Sequence, residues 1–254
     1  EISRAGRTMM STNKISYYQR QTMLFCKLKS ISHMSSDFLC TFLDRQFRMI
    51  IDPRRLVFGK ALRVGYLADI TVDEMIGAVE DLKNGLYKIE TRSLIEVTSS
   101  RKEAIIDWNY ALNEVAILKS GLSSMITVDV TLNGEFLHKY KADGLLIATP
   151  TGSTAYNLSV GGPLLEPHVN AIILTPVATH SLNIRPLVVL DDSKIDVKIT
   201  SRNGSYLLSV DGRSQVLNQD LQLHIERSQR TIKIVHVEGQ SFMQSLKDKL
   251  HWGK

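Results

Sequence analysis

The densest run of small and hydroxyl-bearing side chains follows the apolar stretch 144–148. It is Thr149-Pro150-Thr151-Gly152-Ser153-Thr154-Ala155-Tyr156, and we call residues 149–156 the hydroxyl turn. Small side chains let a ligand approach the backbone closely, and hydroxyl and main-chain N–H groups can bind an adenine edge, a ribose or a phosphate. Because most turns of this composition are plain connections, nucleotide binding is at this point a hypothesis.

Amide and carboxylate side chains that could bind sugar hydroxyls occur at separate points of the chain. Asn113 and Glu114 are adjacent, Asp143 precedes the apolar stretch, and Asp211 precedes a glycine. Taken alone, Glu114 is interpreted as a solvated strand charge and Tyr156 as a half-buried packing ring. The sequence contains no P-loop, G-x-G-x-x-G, His-Glu-x-x-His or Gly-x-Ser-x-Gly motif.

The basic residues near Asp143 could bind phosphate or could simply lie on the solvent-exposed face of a strand. Lys141 is a candidate phosphate contact, but Lys139 and Lys141 equally suit the exposed face of a strand. By itself, His180 is more often a core or loop histidine than a ligand.

The elements that must position these residues are mostly strands. From about Ser93 apolar residues alternate with polar ones, and Asn133-Gly134 predicts a hairpin between the strand 126–132 and a strand that begins near Phe136. Asn203-Gly204 predicts a second hairpin, between the strands 195–199 and 206–210. Short antiparallel strands over about 130 residues indicate a sandwich or a curled double sheet.

Helix signals flank this β-rich region. Thr71 can cap a helix with Glu74 as its capping-box partner, and Gly85 would end it. Ser241 and Gln244 predict the start of a final helix whose apolar face is formed by Phe242, Met243, Leu246 and Leu250.

Composition and charge narrow the class of protein. The chain has 254 residues, of which 43% are hydrophobic and 22% charged, which excludes a disordered or fibrous protein. Residues 1–63 hold 12 Lys/Arg and 4 Asp/Glu, an excess of +8, whereas the other residues hold 19 and 22, a balance of −3. The basic residues are not interleaved with aromatic ones, so we expect no nucleic-acid partner.

The same data indicate a compartment. No apolar run reaches the ~20 residues that cross a bilayer, and residues 1–11 carry no apolar signal-peptide core, so we expect no membrane partner. The two cysteines, Cys26 and Cys40, form no Cys-x-x-Cys pair, which argues against a disulfide framework and fits a reducing environment. We therefore expect a cytoplasmic protein.

The order of these residues resembles a known signature. Asp143-Gly144, four further residues and the hydroxyl turn closely resemble the signature of NAD kinases. Further matches occur in sequence order at Arg63 to Asp69, Asn113-Glu114, Gly161-Gly162-Pro163, Thr175 to Leu182 with Arg185-Pro186, and Val210-Asp211-Gly212-Arg213. The resemblance covers about residues 63–254.

The resemblance implies a fold and an assembly. It implies an α/β Rossmann-like amino-terminal domain, an all-β, sandwich-like domain and a carboxy-terminal helix that returns to the first domain. We accordingly expect residues 1–92 plus 240–254 to form the α/β domain, with residues 1–62 atypical, and residues 93–239 to form the β-rich NAD-binding domain. It also implies a homo-oligomer, dimer or tetramer, which exposed strand edges would allow.

The resemblance further implies a reaction and roles for single residues. The reaction transfers the γ-phosphoryl group of ATP, or of polyphosphate, to the 2′-hydroxyl of the adenosine ribose of NAD, giving NADP with Mg²⁺ or another divalent metal. By resemblance, Asn113, Thr151, Thr154 and Ala155 hold adenine, Glu114 accepts hydrogen bonds from the nicotinamide ribose, Asp143, Tyr156 and Ala178 line the same groove, and Asp211 lies near the transferring phosphate as a candidate catalytic residue.

One family motif is missing. The Gly-Gly-Asp-Gly-Thr loop of the amino-terminal domain is not found in residues 1–62, and the expected register places it on residues 37–41, where Asp37 is a weak substitute for its aspartate. Three interpretations stay open. Residues 1–62 could be a frame-shifted sequence, the protein could be a catalytically silent relative that binds a dinucleotide or a partner, or Asp37 or Asp44 could replace the missing carboxylate.

Overall fold

The computed structural model describes residues 75–101, 105–106, 108–121, 125–237, 241–251 and 253. The predicted helix cap at Thr71, its partner Glu74 and the substitute carboxylates Asp37 and Asp44 lie outside these residues.

The described residues form three α-helices and twelve β-strands. The helices are α1 (Met75–Lys83), α2 (Tyr156–Ser159) and α3 (Phe242–Leu250), and a 3-10 turn covers Thr151–Thr154. The strands are β1 (Tyr87–Ser99), β2 (Tyr110–Ala111), β3 (Glu114–Lys119), β4 (Ile126–Leu132), β5 (Glu135–Ala142), β6 (Gly144–Ala148), β7 (Ala171–Val177), β8 (Leu187–Leu190), β9 (Ile195–Thr200), β10 (Ser205–Val210), β11 (Arg213–Asn218) and β12 (Leu223–Val237).

The strands make two six-stranded antiparallel sheets. The first sheet has the order β2-β1-β12-β9-β4-β5 and the second has the order β11-β10-β3-β6-β7-β8. Alternate apolar side chains of both sheets share one core, among them Val97, Val128, Ile147, Leu174 and Tyr206. The predicted double antiparallel sheet is therefore confirmed.

Of the two predicted hairpins, one is confirmed and one is wrong. Asn133 and Gly134 have φ angles of 53° and 84°, and they join the paired strands β4 and β5 in the positive-φ geometry of a tight two-residue turn. Asn203-Gly204, in contrast, connects β9 of the first sheet to β10 of the second sheet. An Asn-Gly pair allows a sharp change of direction, and here the chain uses that change to pass between sheets.

Burial explains why β9 and β10 do not pair. Ile195 and Ile199 in β9 and Tyr206 and Val210 in β10 are all buried, so each strand already turns an apolar face toward the common core from its own sheet. The hairpin partner of β10 is β11, and the residues between them, Asp211-Gly212, both have positive φ.

The two flanking helices adjoin the longest pair of described strands: α1 precedes β1, and α3 follows β12. Helix α1 precedes β1 and is followed by Gly85 at φ 74°, as predicted. Strand β1 begins at Tyr87, so the change of period seen near Ser93 lies inside a strand; a register shift follows between Ser93 and Ile95. No helix among the described residues is long and apolar enough to cross a membrane.

Helix α3 begins as predicted, but its apolar face is narrower. The Gln244 N–H donates to Ser241 Oγ at 3.1 Å, which is the expected cap. Ser245 and Leu246 are buried, whereas Met243 is 60% exposed. The placement of Met243 on the apolar face is therefore wrong, because it lies about 100° around the helix from Phe242 and outside the buried stripe.

Candidate functional site

The hydroxyl turn leaves the second sheet at the end of β6 and folds back on itself. Residues 151–154 form the 3-10 turn, and Tyr156 begins α2. The Gly152 N–H donates to Thr149 Oγ1 at 3.0 Å, and the Ala155 N–H donates to the Gly152 carbonyl at 2.9 Å. Its own side chains and backbone therefore fix the shape of the turn.

Buried polar contacts anchor the turn to the outer face of the second sheet. The Thr175 hydroxyl donates to Asn157 Oδ1 at 2.6 Å, and Asn157 Nδ2 donates to the Pro163 carbonyl at 3.0 Å. Ser153 Oγ donates to the Leu165 carbonyl at 3.2 Å and accepts from its N–H at 3.1 Å. Because buried hydrogen-bonded groups resist displacement, the turn and the residues that follow it form one fixed unit.

The turn also packs backbone against backbone on the segment that precedes β3. The Thr149 N–H donates to the Asn113 carbonyl at 2.9 Å, and the Thr149 hydroxyl donates to the Leu112 carbonyl. A Cβ atom added at Gly152 would lie 2.0 Å from the Asn113 carbonyl oxygen. Glycine is therefore required at residue 152 by a close approach of two backbones.

The carboxylate of Asp211 holds the same segment from the other side. Its Oδ2 accepts from the Leu112 N–H at 2.7 Å, and its Oδ1 accepts from the N–H groups of Asn113 and Glu114 at 2.8 and 3.1 Å. Asp211 itself has φ 47°, a left-handed conformation that aspartate tolerates better than most residues. The β10–β11 turn thus fixes three successive backbone N–H groups.

Glu114 carries the strongest electrostatic perturbation of this region. Burial, and secondly the negative charge of Asp211, raise the pKa of its carboxyl from 4.5 to about 7, against the opposing effect of the Tyr156 backbone N–H, which donates to it. Within the described residues, Oε2 of Glu114 is buried and has no hydrogen-bond partner. Glu114 is therefore a half-buried carboxyl with one buried oxygen that lacks a hydrogen-bond partner among the described residues, and it is not the solvated strand charge suggested by its sequence context alone.

The structure thus brings one group of the predicted residues together at one end of β6. The group, which we call the Glu114 group, consists of Asn113, Glu114, Thr151, Thr154, Ala155, Tyr156 and Asp211. The Tyr156 side chain is the most accessible large group there, since the residue is 38% exposed. Hydroxyls, an aromatic ring, backbone groups and a carboxyl of raised pKa in one place suit a ligand with sugar hydroxyls and a flat base.

The remaining predicted residues lie at the opposite end of β6. Asp143 immediately precedes β6 and accepts from Lys119 Nζ at 2.8 Å. Together with Lys141 and Arg202 these residues line a cavity of about 410 Å³. We call Lys119, Lys141, Asp143 and Arg202, with Ala178 beside them, the Asp143 group.

The two groups do not share one groove within a single chain. Ala178 belongs to the Asp143 end, because the neighbouring Asp143 N–H donates to the Val177 carbonyl. Five residues of extended strand separate Asp143 from the first residue of the hydroxyl turn, a distance of about 20 Å. The expectation that Asp143 and Ala178 line the same groove as Tyr156 is therefore not met by one copy of the chain.

Sequence patterns missed a cluster of charged residues beneath the hydroxyl turn. Glu90 and Arg92 lie two apart on β1 and form an ion pair at 2.6 Å. The Nε2 atoms of His168 and His236 lie 2.8 and 2.6 Å from the Glu90 oxygens. Arg92 Nη1 lies 3.4 Å from Oγ1 of Thr151. The only sequence signal was a pair of opposite charges on one face of a strand, which is too common to indicate a site.

Comparisons with known proteins decide the family. The family described as the ATP-NAD kinase C-terminal domain matches residues 112–237. An NAD kinase of Bacteroides fragilis is 44% identical to this chain over 191 residues, which are 75% of this chain and 66% of the relative. The chain belongs to the NAD kinase family. It spans just under two thirds of the length of that relative.

Solved structures of NAD kinase family members have a similar fold. A yeast NADH kinase in complex with NADH matches with a TM-score of 0.67 and 29% identity, covering 75% of this chain and 56% of that chain. An NAD kinase from Archaeoglobus fulgidus in complex with ATP matches with a TM-score of 0.63 and 25% identity, covering 74% of this chain and 70% of that chain. The yeast protein therefore binds NADH and the archaeal protein binds ATP.

The described residues do not fit a metal site by themselves. No group of three or more His, Cys, Asp or Glu residues among them could hold an ion. Asp211 already accepts three backbone hydrogen bonds, which competes with metal ligation. We therefore assign no step of chemistry to a metal bound by this part of the chain.

Proposed function

We propose that this protein is an NAD kinase. It would transfer the γ-phosphoryl group of ATP, or of polyphosphate, to the 2′-hydroxyl of the adenosine ribose of NAD and release NADP. The bond between the γ-phosphorus and its bridging oxygen breaks, a bond to the ribose oxygen forms, and the hydroxyl proton leaves to a base or to solvent. Mg²⁺ or another divalent ion would enter with the donor phosphates.

The observation that carries the proposal is the convergence of the Glu114 group in a chain of this family. Asn113, Thr151, Thr154 and Ala155 would hold the adenine, Tyr156 would line the groove, and Glu114 would bind the nicotinamide ribose hydroxyls. These side chains are mounted on a closed turn and a fixed backbone segment. Such preorganisation is what a phosphoryl transfer requires from the acceptor side, since most of its catalysis is positioning.

In this proposal Asp211 positions the segment 112–114 and does not act as the catalytic base. Both oxygens of its carboxylate already accept backbone N–H groups, three in all, and so hold that segment in place. The base would then come from residues 1–62, where the family's Gly-Gly-Asp-Gly-Thr loop is expected and not found in the sequence.

Domain organisation and assembly belong to the same proposal. The α/β Rossmann-like domain would comprise residues 1–92 plus 240–254, and the NAD-binding domain residues 93–239, with its first strand reaching back to Tyr87. The protein would act as a homo-oligomer in the cytoplasm. A second copy would bring its Asp143 group, including Ala178 and the candidate phosphate contact Lys141, to the Glu114 group of the first.

A catalytic assay and a binding assay together test this function. The full chain with NAD, ATP and Mg²⁺ should form NADP, and isothermal titration should show saturable NAD binding that Glu114→Ala weakens. No NADP at high enzyme concentration, with NAD binding intact, would contradict the kinase proposal. A flat NAD titration would contradict nucleotide binding altogether.

The second candidate function is a dinucleotide-binding or regulatory module of the same family. The missing Gly-Gly-Asp-Gly-Thr motif favours it, because glycines let phosphates contact bare backbone and phenylalanine and leucine at residues 38 and 39 do not. This candidate predicts NAD or NADP binding without turnover. Co-purification with an intact kinase chain would support the regulatory form.

A further inference from the structure

We propose that Arg92 is a positioning residue for the nucleotide site, which holds Thr151 and through it the hydroxyl turn in the ligand-binding shape. The inference rests on the proposed function and goes beyond it, because Arg92 lies outside the motifs named in the sequence analysis. It concerns how the site is held in place from beneath.

Arg92 is a buried cation whose hydrogen bonds are incomplete. It is 4% exposed, its Nη2 lies 2.6 Å from Glu90 Oε2, and its Nη1 lies 3.4 Å from Thr151 Oγ1, at the long end of hydrogen-bond range. Within the described residues its Nε has no hydrogen-bond partner. A buried, incompletely paired cation often stabilises a fold no better than an apolar side chain of similar size, which points to a role for Arg92 in positioning.

The anion that holds Arg92 lies in a cluster of side chains from three elements. Glu90 lies on β1, His236 on β12, and His168 on the connection before β7. Both histidines place Nε2 within 2.8 Å of the Glu90 carboxylate. Because the guanidinium is a rigid planar fork, fixing one arm on Glu90 sets where the other arm meets Thr151.

Movement of Thr151 would pass directly to the residues proposed to contact the nucleotide. The Thr151 carbonyl accepts from the Thr154 hydroxyl at 3.2 Å. Gly152, the next residue, is pressed against the Asn113 backbone with no room for a single added carbon. A close-packed contact of this kind has little slack, so a shift at Thr151 displaces Thr154 or Asn113.

A double-mutant cycle on NAD affinity tests the role. Arg92→Met and Thr151→Val should each weaken NAD binding by about 5- to 20-fold, and the double variant should be weaker than the poorer single variant by at most about twofold, since the two changes break one contact. Arg227→Met is the control. Arg227 also pairs with a carboxylate, Asp191 at 2.5 Å, but its side chain is more exposed than that of Arg92, and this variant should bind NAD within about twofold of the wild type.

Arg92→Lys separates positioning from folding. Lysine keeps the charge beside Glu90 but has no fork to span both partners, so its thermal unfolding midpoint should stay near that of the wild type while NAD binding stays weak. If Arg92→Met does not fold, the cycle is run with Arg92→Lys. Additive losses, or native affinity in the lysine variant, would overturn the positioning role alone. A wild-type chain that fails to bind NAD would overturn the proposed function first and this inference with it.

Discussion

The Asp211 carboxylate accepts the backbone N–H of Glu114 at 3.1 Å while its charge raises the pKa of the Glu114 side chain. One turn between β10 and β11 therefore fixes the backbone of the segment 112–114 and shifts the charge state of the side chain that the segment presents. With its pKa at about 7, Glu114 is neither fully charged nor fully neutral at physiological pH. It can accept a hydrogen bond from a sugar hydroxyl or donate one to it.

The first prediction is a pH dependence of stability caused by Glu114. Its pKa is 4.5 in an unfolded chain and about 7 in the folded one. Between those values the folded chain binds more protons, so the contribution of this carboxyl is fully present below pH 4.5 and is lost as the pH rises through about 7. The full shift corresponds to about 3 kcal/mol. Because the group is partly exposed and therefore screened by solvent, the wild type should lose about 1–2 kcal/mol of unfolding free energy across this window relative to Glu114→Gln. Urea unfolding at several pH values measures it, and a difference that does not vary with pH would contradict the pKa.

The second prediction concerns the Asp211 carboxylate. Asp211→Asn keeps a residue that tolerates positive φ and one acceptor oxygen, whereas Asp211→Ala removes both acceptors and strains the turn. We expect the asparagine variant to lose about 1–2 kcal/mol of unfolding free energy and the alanine variant about 2–4 kcal/mol. The asparagine variant should also lower the pKa of Glu114, because the neighbouring charge is gone. Equal stability of both variants and the wild type would exclude a role of Asp211 in holding the segment 112–114.

The third prediction is that Gly152 cannot carry a side chain. Gly152→Ala should cost about 2–4 kcal/mol of unfolding free energy and abolish measurable NAD binding, because the new Cβ meets backbone that cannot rotate away. Gly77→Ala is the matched control, since residue 77 lies in α1 with nothing within 4 Å of the added carbon. That change should raise stability by about 0.5–1 kcal/mol. Thermal melts and NAD titrations of both variants provide the comparison.

The fourth prediction is that a complete NAD site needs two copies of the chain. Asp143→Ala and Glu114→Ala should each bind NAD poorly, but co-expressed they should regain about a quarter of the sites in a dimer, because each mixed dimer contains one site with both groups intact. Titration stoichiometry gives the fraction, and analytical ultracentrifugation gives the oligomer. A monomeric protein, or no recovery of sites, would show that the Asp143 group and the Glu114 group do not form one NAD site.

The fold was predictable where local rules and tertiary structure agree. Strands β4 and β5 alternate cleanly around Asn133-Gly134, and the predicted hairpin forms. Asn203-Gly204 obeys the same local rule, but burial of two apolar faces in one core separates its strands into different sheets. The turn that closes a hairpin nearby is Asp211-Gly212, between β10 and β11. Asp-Gly is an equally strong hairpin signal, but from the sequence we interpret this pair only as part of a family motif.

The candidate site was predictable as a set of residues and not as a geometry. Motif order identified Asn113, Glu114 and the hydroxyl turn, which the structure brings together. It could not reveal that Asp143 faces the other end of the sheet, because the direction of a strand is absent from a motif. Nor could it reveal Arg92, whose contact with Thr151 joins residues 59 apart in sequence.

The pairing of Tyr87 with Val237 has a consequence for the architecture of the chain. The first and last strands of the double sheet are hydrogen-bonded neighbours, so the chain enters and leaves the double sheet at adjacent positions. A unit with adjacent ends can be inserted into another chain or permuted without separating its strands. We expect both sheets to stay intact when a short linker joins residue 237 to residue 87 and new termini are opened at the Asn133-Gly134 turn.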